Sequence, residues 1–220
     1  MFRILYNFRI ALFFGTMNMV TATFFAIIIG TTLGILFGFI LCYGNKYVKF
    51  PFRLYVDLVR GIPALVLIFS IYYILGFFLS RVGINLDNLK SGIIALSAFS
   101  AAQVAEITRG ALQSIPKDQI EAGKAIGLSF DKIFIFILFP QAIAKIVPPW
   151  INTATEMCKG TTLLSLIGVR ELLLTASQLI ATSGDALVYY MFIGLIFFLV
   201  NTLIQLFGKL LEKKVSFYQL

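Results

Sequence analysis

The sequence predicts an all-α protein that crosses a membrane five times, and three observations predict it. Only 13% of the residues are charged and 60% are hydrophobic, with a mean hydropathy of +0.95; a soluble domain carries roughly 25% charged residues. Five apolar stretches each supply the ~20 residues of helix that a hydrocarbon core demands, since every backbone group there must be bonded internally. The basic residues behind the formal charge of +8 sit between apolar runs. They do not gather on one soluble face, which sets nucleic acid aside as a partner.

Residues 1–12 begin MFRILYNFRI and read as an interfacial amphipathic helix, with Arg3 and Arg9 snorkelling while Phe2, Leu5 and Phe8 enter lipid. The apolar run that follows reaches from Ile10 to Tyr43 with no A-x-A site after it. A signal peptide's apolar region is ~7–15 residues, so this run is a span and not a removable signal. The first span, 13–43, carries Gly30, Gly34 and Gly38 as GxxxGxxxG. That spacing lets helices approach closely, within or between subunits.

The second span is expected over 55–80, and Arg60-Gly61-Ile62-Pro63 lies at its start. That tetrapeptide reads either as a snorkelling arginine before a proline kink or as a gate element. The third span, 91–113, places Glu106 and Arg109 three apart, as a helix-surface ion pair. A short helix over 116–127 follows: Pro116 suits its first position, Asp118 its first turn, and Gly127 its left-handed stop. Ser129 and Asp131 then open the fourth span, 133–158, whose hydrogen-bonding ladder Pro148-Pro149 should interrupt. The stretch 161–182 is apolar but centres on Arg170 and Glu171. Two charges at mid-bilayer cost about 2.5–3.5 kcal/mol each, so it reads as a re-entrant or surface-lying helical element. The fifth span is 186–208.

Loop charges give an orientation. Lys46, Lys49, Arg53, Arg109, Lys117, Lys124, Lys132, Lys209, Lys213 and Lys214 lie on one side, against Arg3, Arg9, Arg81, Lys90, Lys159 and Arg170 on the other. Ten against six places the first set in the cytoplasm, with the N-terminus outside and the C-terminus inside.

The absence of histidine removes the commonest acid/base catalyst and metal ligand, and Cys42 and Cys158 form no redox or metal motif. No catalytic or metal-binding residue is expected. The chain offers an intramembrane enzyme no nucleophile paired with a base.

Polar residues inside a span are functional candidates by default. In the fourth span Asn152 and Glu156 lie at i and i+4, beside Thr153, Thr155 and Lys159. Asn152, Thr155 and Glu156 are candidate substrate ligands, with Asn18 and Met19 of the first span reaching the same cavity. Glu156 reads either as a counter-charge for a cationic substrate or as the ion-pair partner of Lys159.

Glu121-Ala122-Gly123, then Gly127, Ile137 and Pro140, resembles the EAA motif of ATP-binding-cassette importer permeases, E-A-A-x3-G-x9-I-x-L-P. Gly123 stands for the second alanine and Phe139 for the leucine. The stretches VRGIPALVLIFSIYY, AEITRGALQSIPKDQIEAGKAIGLS, FPQAIAKIVPP and CKGTTLLSLIGVREL look like the polar amino acid branch of that family. Where that branch has lysine-aspartate-threonine-serine, this chain has Lys159-Gly160-Thr161-Thr162.

The resemblance implies the type I importer permease architecture in a bacterial inner membrane. The 116–127 helix would be the coupling helix, with Glu121, Ala122, Gly123 and Gly127 meeting a separate ATPase subunit. That ATPase would bind ATP and Mg, since this chain has no G-x4-G-K-[ST] and no cofactor of its own. A second permease subunit, identical or paralogous, and an extracytoplasmic substrate-binding protein would complete the assembly in membrane lipid. The alternatives are an ion-coupled secondary amino acid transporter, against which no internal repeat is found, and a scaffold that transports nothing.

Overall fold

The computed structural model describes residues 2–216, with side chains from residue 9 onward. All regular structure among the described residues is helical. Five helices are long and apolar enough to cross a membrane: Arg9–Tyr43, Ala64–Arg81, Asn88–Gln113, Phe130–Ile167 and Ala186–Val215.

Helix α1 (Phe2–Tyr43) is unbroken for 42 residues, about 63 Å. A separate interfacial helix over 1–12 is therefore not formed: the backbone runs straight into the span, because no glycine or proline precedes Gly15. The side chains of Phe2, Arg3, Leu5 and Phe8 lie outside the described residues.

The expected second span resolves into two helices. Helix α2 (Lys46–Gly61) is capped by Asn45, whose side chain accepts from Val48 N–H at 2.9 Å. It ends before Pro63, which disfavours helical geometry at the residue preceding it, and Ile62 is extended at φ −107°, ψ 148°. Helix α3 (Ala64–Arg81) is then the true span, with a π-helical turn over Ser70–Leu75. Helix α4 (Asn88–Gln113) starts from Asp87, whose carboxylate accepts from Lys90 N–H at 2.7 Å. That bond holds the exposed Asp87 carboxyl below the usual carboxylate range.

The centre of the fold is the parallel packing of α1 on α4. Gly30, Gly34 and Gly38 step along Ser100, Val104 and Thr108, turn by turn. A β-carbon would lie 2.5 Å from Val104 Cβ at Gly34 and 2.5 Å from Thr108 Cβ at Gly38. The glycine seam thus serves an interface within the chain.

Helix α2 is fastened across α4. Tyr55 O–H donates to Ala98 O at 2.6 Å, and burial pushes its phenol pKa up to about 12. Glu106 pairs with Arg109 as expected, and also lies 3.5 Å from Arg53 and 3.8 Å from Arg60 of α2.

Helix α5 (Asp118–Ala125) follows the α4 terminus, and helix α6 spans residues 130–160. The expected interruption at Pro148-Pro149 is absent: Phe139–Gly160 is continuous. Proline's φ is compatible with a helix, so the loss is confined to two successive ladder bonds. The ladder widens instead at a π-helical turn over Phe134–Leu138, just before Pro140, where Phe139 N–H reaches Phe134 O.

A 3-10 helix (Thr161–Ile167) ends at Gly168, φ +81°, with Val169 N–H bonded to Leu164 O at 3.1 Å. Helix α7 (Leu172–Ser183) then packs on α1 through Leu12, Met19, Leu172 and Ala176. The stretch 161–182 is thus two short helices and no sixth span. Glu171 is fully buried and caps α7, accepting from Leu173 and Leu174 N–H at 2.8 and 2.7 Å, whereas Arg170 is exposed. Helix α8 (Ala186–Val215) completes the bundle.

Candidate functional site

Two features of α6 and its surroundings hold the candidate residues. The first is a polar stripe. Lys145, Asn152, Glu156 and Lys159 follow spacings of seven, four and three, so they share one face of α6. Asn152, Glu156 and Lys159 are exposed, while Thr153, Ala154, Thr155, Met157 and Cys158 turn inward. A face bearing three charges and an amide cannot rest in hydrocarbon without cost. It belongs against water or against another polar surface.

Glu156 makes no ion pair among the described residues; the bond to Lys159 is not formed. Its carboxylate is left open on the stripe. Asn152 is exposed one turn away, and its backbone carbonyl accepts from Thr155 O–H at 2.9 Å. Thr155 itself is 7% exposed, so its hydroxyl is spent on the helix backbone and does not line the stripe.

The two residues expected from α1 are placed elsewhere. Met19 is 0% exposed and packs in the cluster that holds Cys158, Leu172 and Ala176. Cys158 is two residues from Glu156, or about 200° around the helix. Met19 therefore meets the inner side of α6, opposite the stripe. Asn18 donates its amide N–H to Arg170 O at 2.9 Å, tying α1 to the turn that precedes α7.

The second feature is the corner between α4 and α6. Ser114 caps α4, its N–H reaching Gly110 O, and Pro116 starts the turn into α5. Asp118 and Glu121 lie in the first turn of α5, where the helix dipole favours carboxylates. Gly127 stops the helix at φ +80°, with Leu128 N–H bonded to Gly123 O at 3.0 Å and Gly127 N–H to Lys124 O at 2.9 Å. This pair of bonds is the Schellman closure, available to glycine without penalty.

Gly123 is buried against α6, and a β-carbon there would lie 2.8 Å from Ile133 Cγ1. Glu121, Ala122, Ala125 and Ile126 face outward, with Ile126 75% exposed. The corner thus has an inner glycine that seats it and an outer face free to meet something else.

Sequence reasoning missed Lys145. Its Nζ donates to Ser114 O and to Ser114 Oγ, each at 3.1 Å, joining α6 to the corner. The seven-residue spacing to Asn152 was its only signal.

Over residues 30–217 the chain matches the family described as binding-protein-dependent transport system inner membrane component. It is 31% identical over 196 residues to the probable amino-acid ABC transporter permease YckA of Bacillus subtilis, covering 89% of this chain and 85% of that protein. It is 30% identical over 214 residues to the probable glutamine ABC transporter permease GlnP of Bacillus subtilis, covering 94% and 90%. To the glutamate/aspartate import permease GltJ of Escherichia coli it is 30% identical over 197 residues, covering 86% and 80%. A solved structure described as an amino acid ABC transporter with histidines superimposes with a TM-score of 0.83 at 26% identity, covering 96% of both chains.

Proposed function

We infer, from the premise that this chain belongs to the family of binding-protein-dependent transport system inner membrane components, that the polar stripe of α6 walls a translocation path for cationic amino acids. The chain is the permease subunit of an amino acid importer of the ATP-binding-cassette type, a multi-pass protein of the inner membrane. That identity displaces the secondary transporter and the inert scaffold.

A single subunit leaves the stripe uncovered, so a second permease subunit, identical or paralogous, faces it and encloses the path. The α4–α5–α6 corner lies in the cytoplasm, as the loop charges favour. The outward face of α5, with Glu121, Ala122 and Ile126, docks on the ATPase subunit, which binds ATP and Mg. Gly123 and Gly127 act from within, seating and ending that helix. A substrate-binding protein delivers the amino acid at the opposite face.

One observation carries the cargo class: Glu156 is an exposed carboxylate with no ion-pair partner among the described residues, one turn from Asn152. An arginine side chain can meet both carboxylate oxygens, and lysine or histidine can meet one. A structural neighbour described with histidines is compatible with such a cargo. The relatives named for glutamine and for glutamate and aspartate lend it no support.

The test is import by the reconstituted complex, with arginine, lysine, glutamine and glutamate supplied in turn. Glu156→Gln keeps the shape and removes the charge. Arginine import should fall tenfold or more, the effect of about 1.4 kcal/mol of lost pairing, while arginine capture by the binding protein alone stays unchanged. A parent complex that prefers glutamine or glutamate overturns the cargo class, and equal arginine import by Glu156→Gln overturns the role of the carboxylate.

A further inference from the structure

We propose that Lys145 is the positioning residue that makes α6 follow the coupling corner. This rests on the reading that α5 meets the ATPase. Lys145 Nζ donates to both Ser114 O and Ser114 Oγ at 3.1 Å, across 31 residues of sequence. No carboxylate pairs with it among the described residues. Its partner is the C-terminal end of α4, where unsatisfied carbonyls carry partial negative charge and favour a cation. Ser114 Oγ also donates to Ala111 O at 2.8 Å, which holds the acceptor in place on the last turn of α4.

The placement gives this bond its consequence. Ser114 is two residues before Pro116, where the chain turns into α5. Lys145 is on the face of α6 that carries Asn152 two turns further on and Glu156 three turns further on, about 10 and 16 Å along the axis. Lower on the same helix, Ile133 and Ile137 seat Gly123 of α5. Apolar contact from Ala111, Leu112 and Ile115 runs along α6 from Ile133 through Leu138 and Ala142 to Ile146, and the Lys145 ammonium closes the upper end of that seam with directed hydrogen bonds. Apolar surfaces are non-directional and let α6 slide or turn against the corner as α5 moves; the directed ammonium bonds fix the register between them. Lys145 converts a displacement of α5 into a rotation of the wall that bears Glu156.

The experiment reconstitutes the full complex in liposomes and measures ATP hydrolysed per amino acid imported, for the parent, Lys145→Met, Lys145→Gln and Lys145→Arg. Lys145→Met keeps an unbranched stem, one atom shorter and without a donor, and at least a threefold rise in ATP per import is expected, with ATP hydrolysis still responding to loaded binding protein. Lys145→Arg keeps the charged donor and should stay within twofold of the parent. A residue that only stabilised the fold would lower import and hydrolysis together and leave their ratio alone. Parent-like coupling in Lys145→Met overturns the proposal. Should that variant fail to assemble, Lys145→Gln, which loses the charge and the reach of the ammonium, decides by the same ratio. A parent complex whose hydrolysis ignores the binding protein overturns the wider reading of α5 instead.

Discussion

Gly123 lies against Ile133 so closely that a β-carbon on the glycine would stand 2.8 Å from Ile133 Cγ1. The short helix α5 consequently sits directly on the foot of α6, with no side chain between backbone and isoleucine. The same helix ends four residues later at Gly127, φ +80°, so its length and its exit direction are set by two glycines with different duties. One gives close approach, the other a left-handed turn.

That division predicts distinct responses. At Gly127 no atom lies within 4 Å of a built β-carbon, so substitution there costs backbone strain alone. Gly127→Ala should destabilise by about 1 kcal/mol, Gly127→Val by more, and Gly127→Asn by less, since asparagine tolerates this conformation. Thermal melting of the purified complex gives that order. Stimulation of ATP hydrolysis by loaded binding protein should decline in the same order.

The glycine seam of α1 gives a second prediction. A β-carbon at Gly34 would lie 2.9 Å from Ala101 O, a backbone atom that cannot swing away. Gly34→Ala should cost about 1–3 kcal/mol through overpacking, and Gly34→Leu should prevent stable folding. Because the contact is within the chain, the loss should appear as a lower melting temperature of the lone subunit. Dissociation of an otherwise stable complex, with an unchanged melt of the separate subunit, would place the seam between subunits.

Glu171 supplies a third. It is fully buried, and its carboxylate accepts from the N–H groups of Leu173 and Leu174. Truncation to alanine removes a helix cap and leaves buried donors open, so Glu171→Ala should cost about 1–2 kcal/mol or more. Glu171→Gln retains an acceptor and should recover part of that. Hydrogen exchange at α7 reads the effect locally, and faster exchange confined to residues 172–183 is the expected pattern.

Much of this architecture could be read along the chain. Span lengths, the short helix before the fourth span, and the stop at Gly127 each depend on residues within one or two turns. Lipid enforces them, because a helix is the form in which one segment bonds its own backbone. Three local readings failed for reasons of the same scale. Residues 2–12 contain no breaker, so α1 continues through them; Pro63 constrains Ile62, so the second span begins late; and Pro148-Pro149 leaves α6 continuous because proline's φ suits a helix.

The composition and spacing of the residues thus determined that the chain spans the membrane, roughly where, and which short segment resembles a coupling helix. Only the folded arrangement decided which side of each helix meets which neighbour. It turned Met19 inward against the Cys158 side of α6, left Glu156 open, brought Arg53 and Arg60 to Glu106, and set Lys145 on Ser114. Those pairings depend on the rotation of each helix about its axis. That rotation is fixed by packing against helices distant in sequence, notably the glycine seam of α1 on α4, and where a span is apolar all round, as most of α1 is, local periodicity does not announce it.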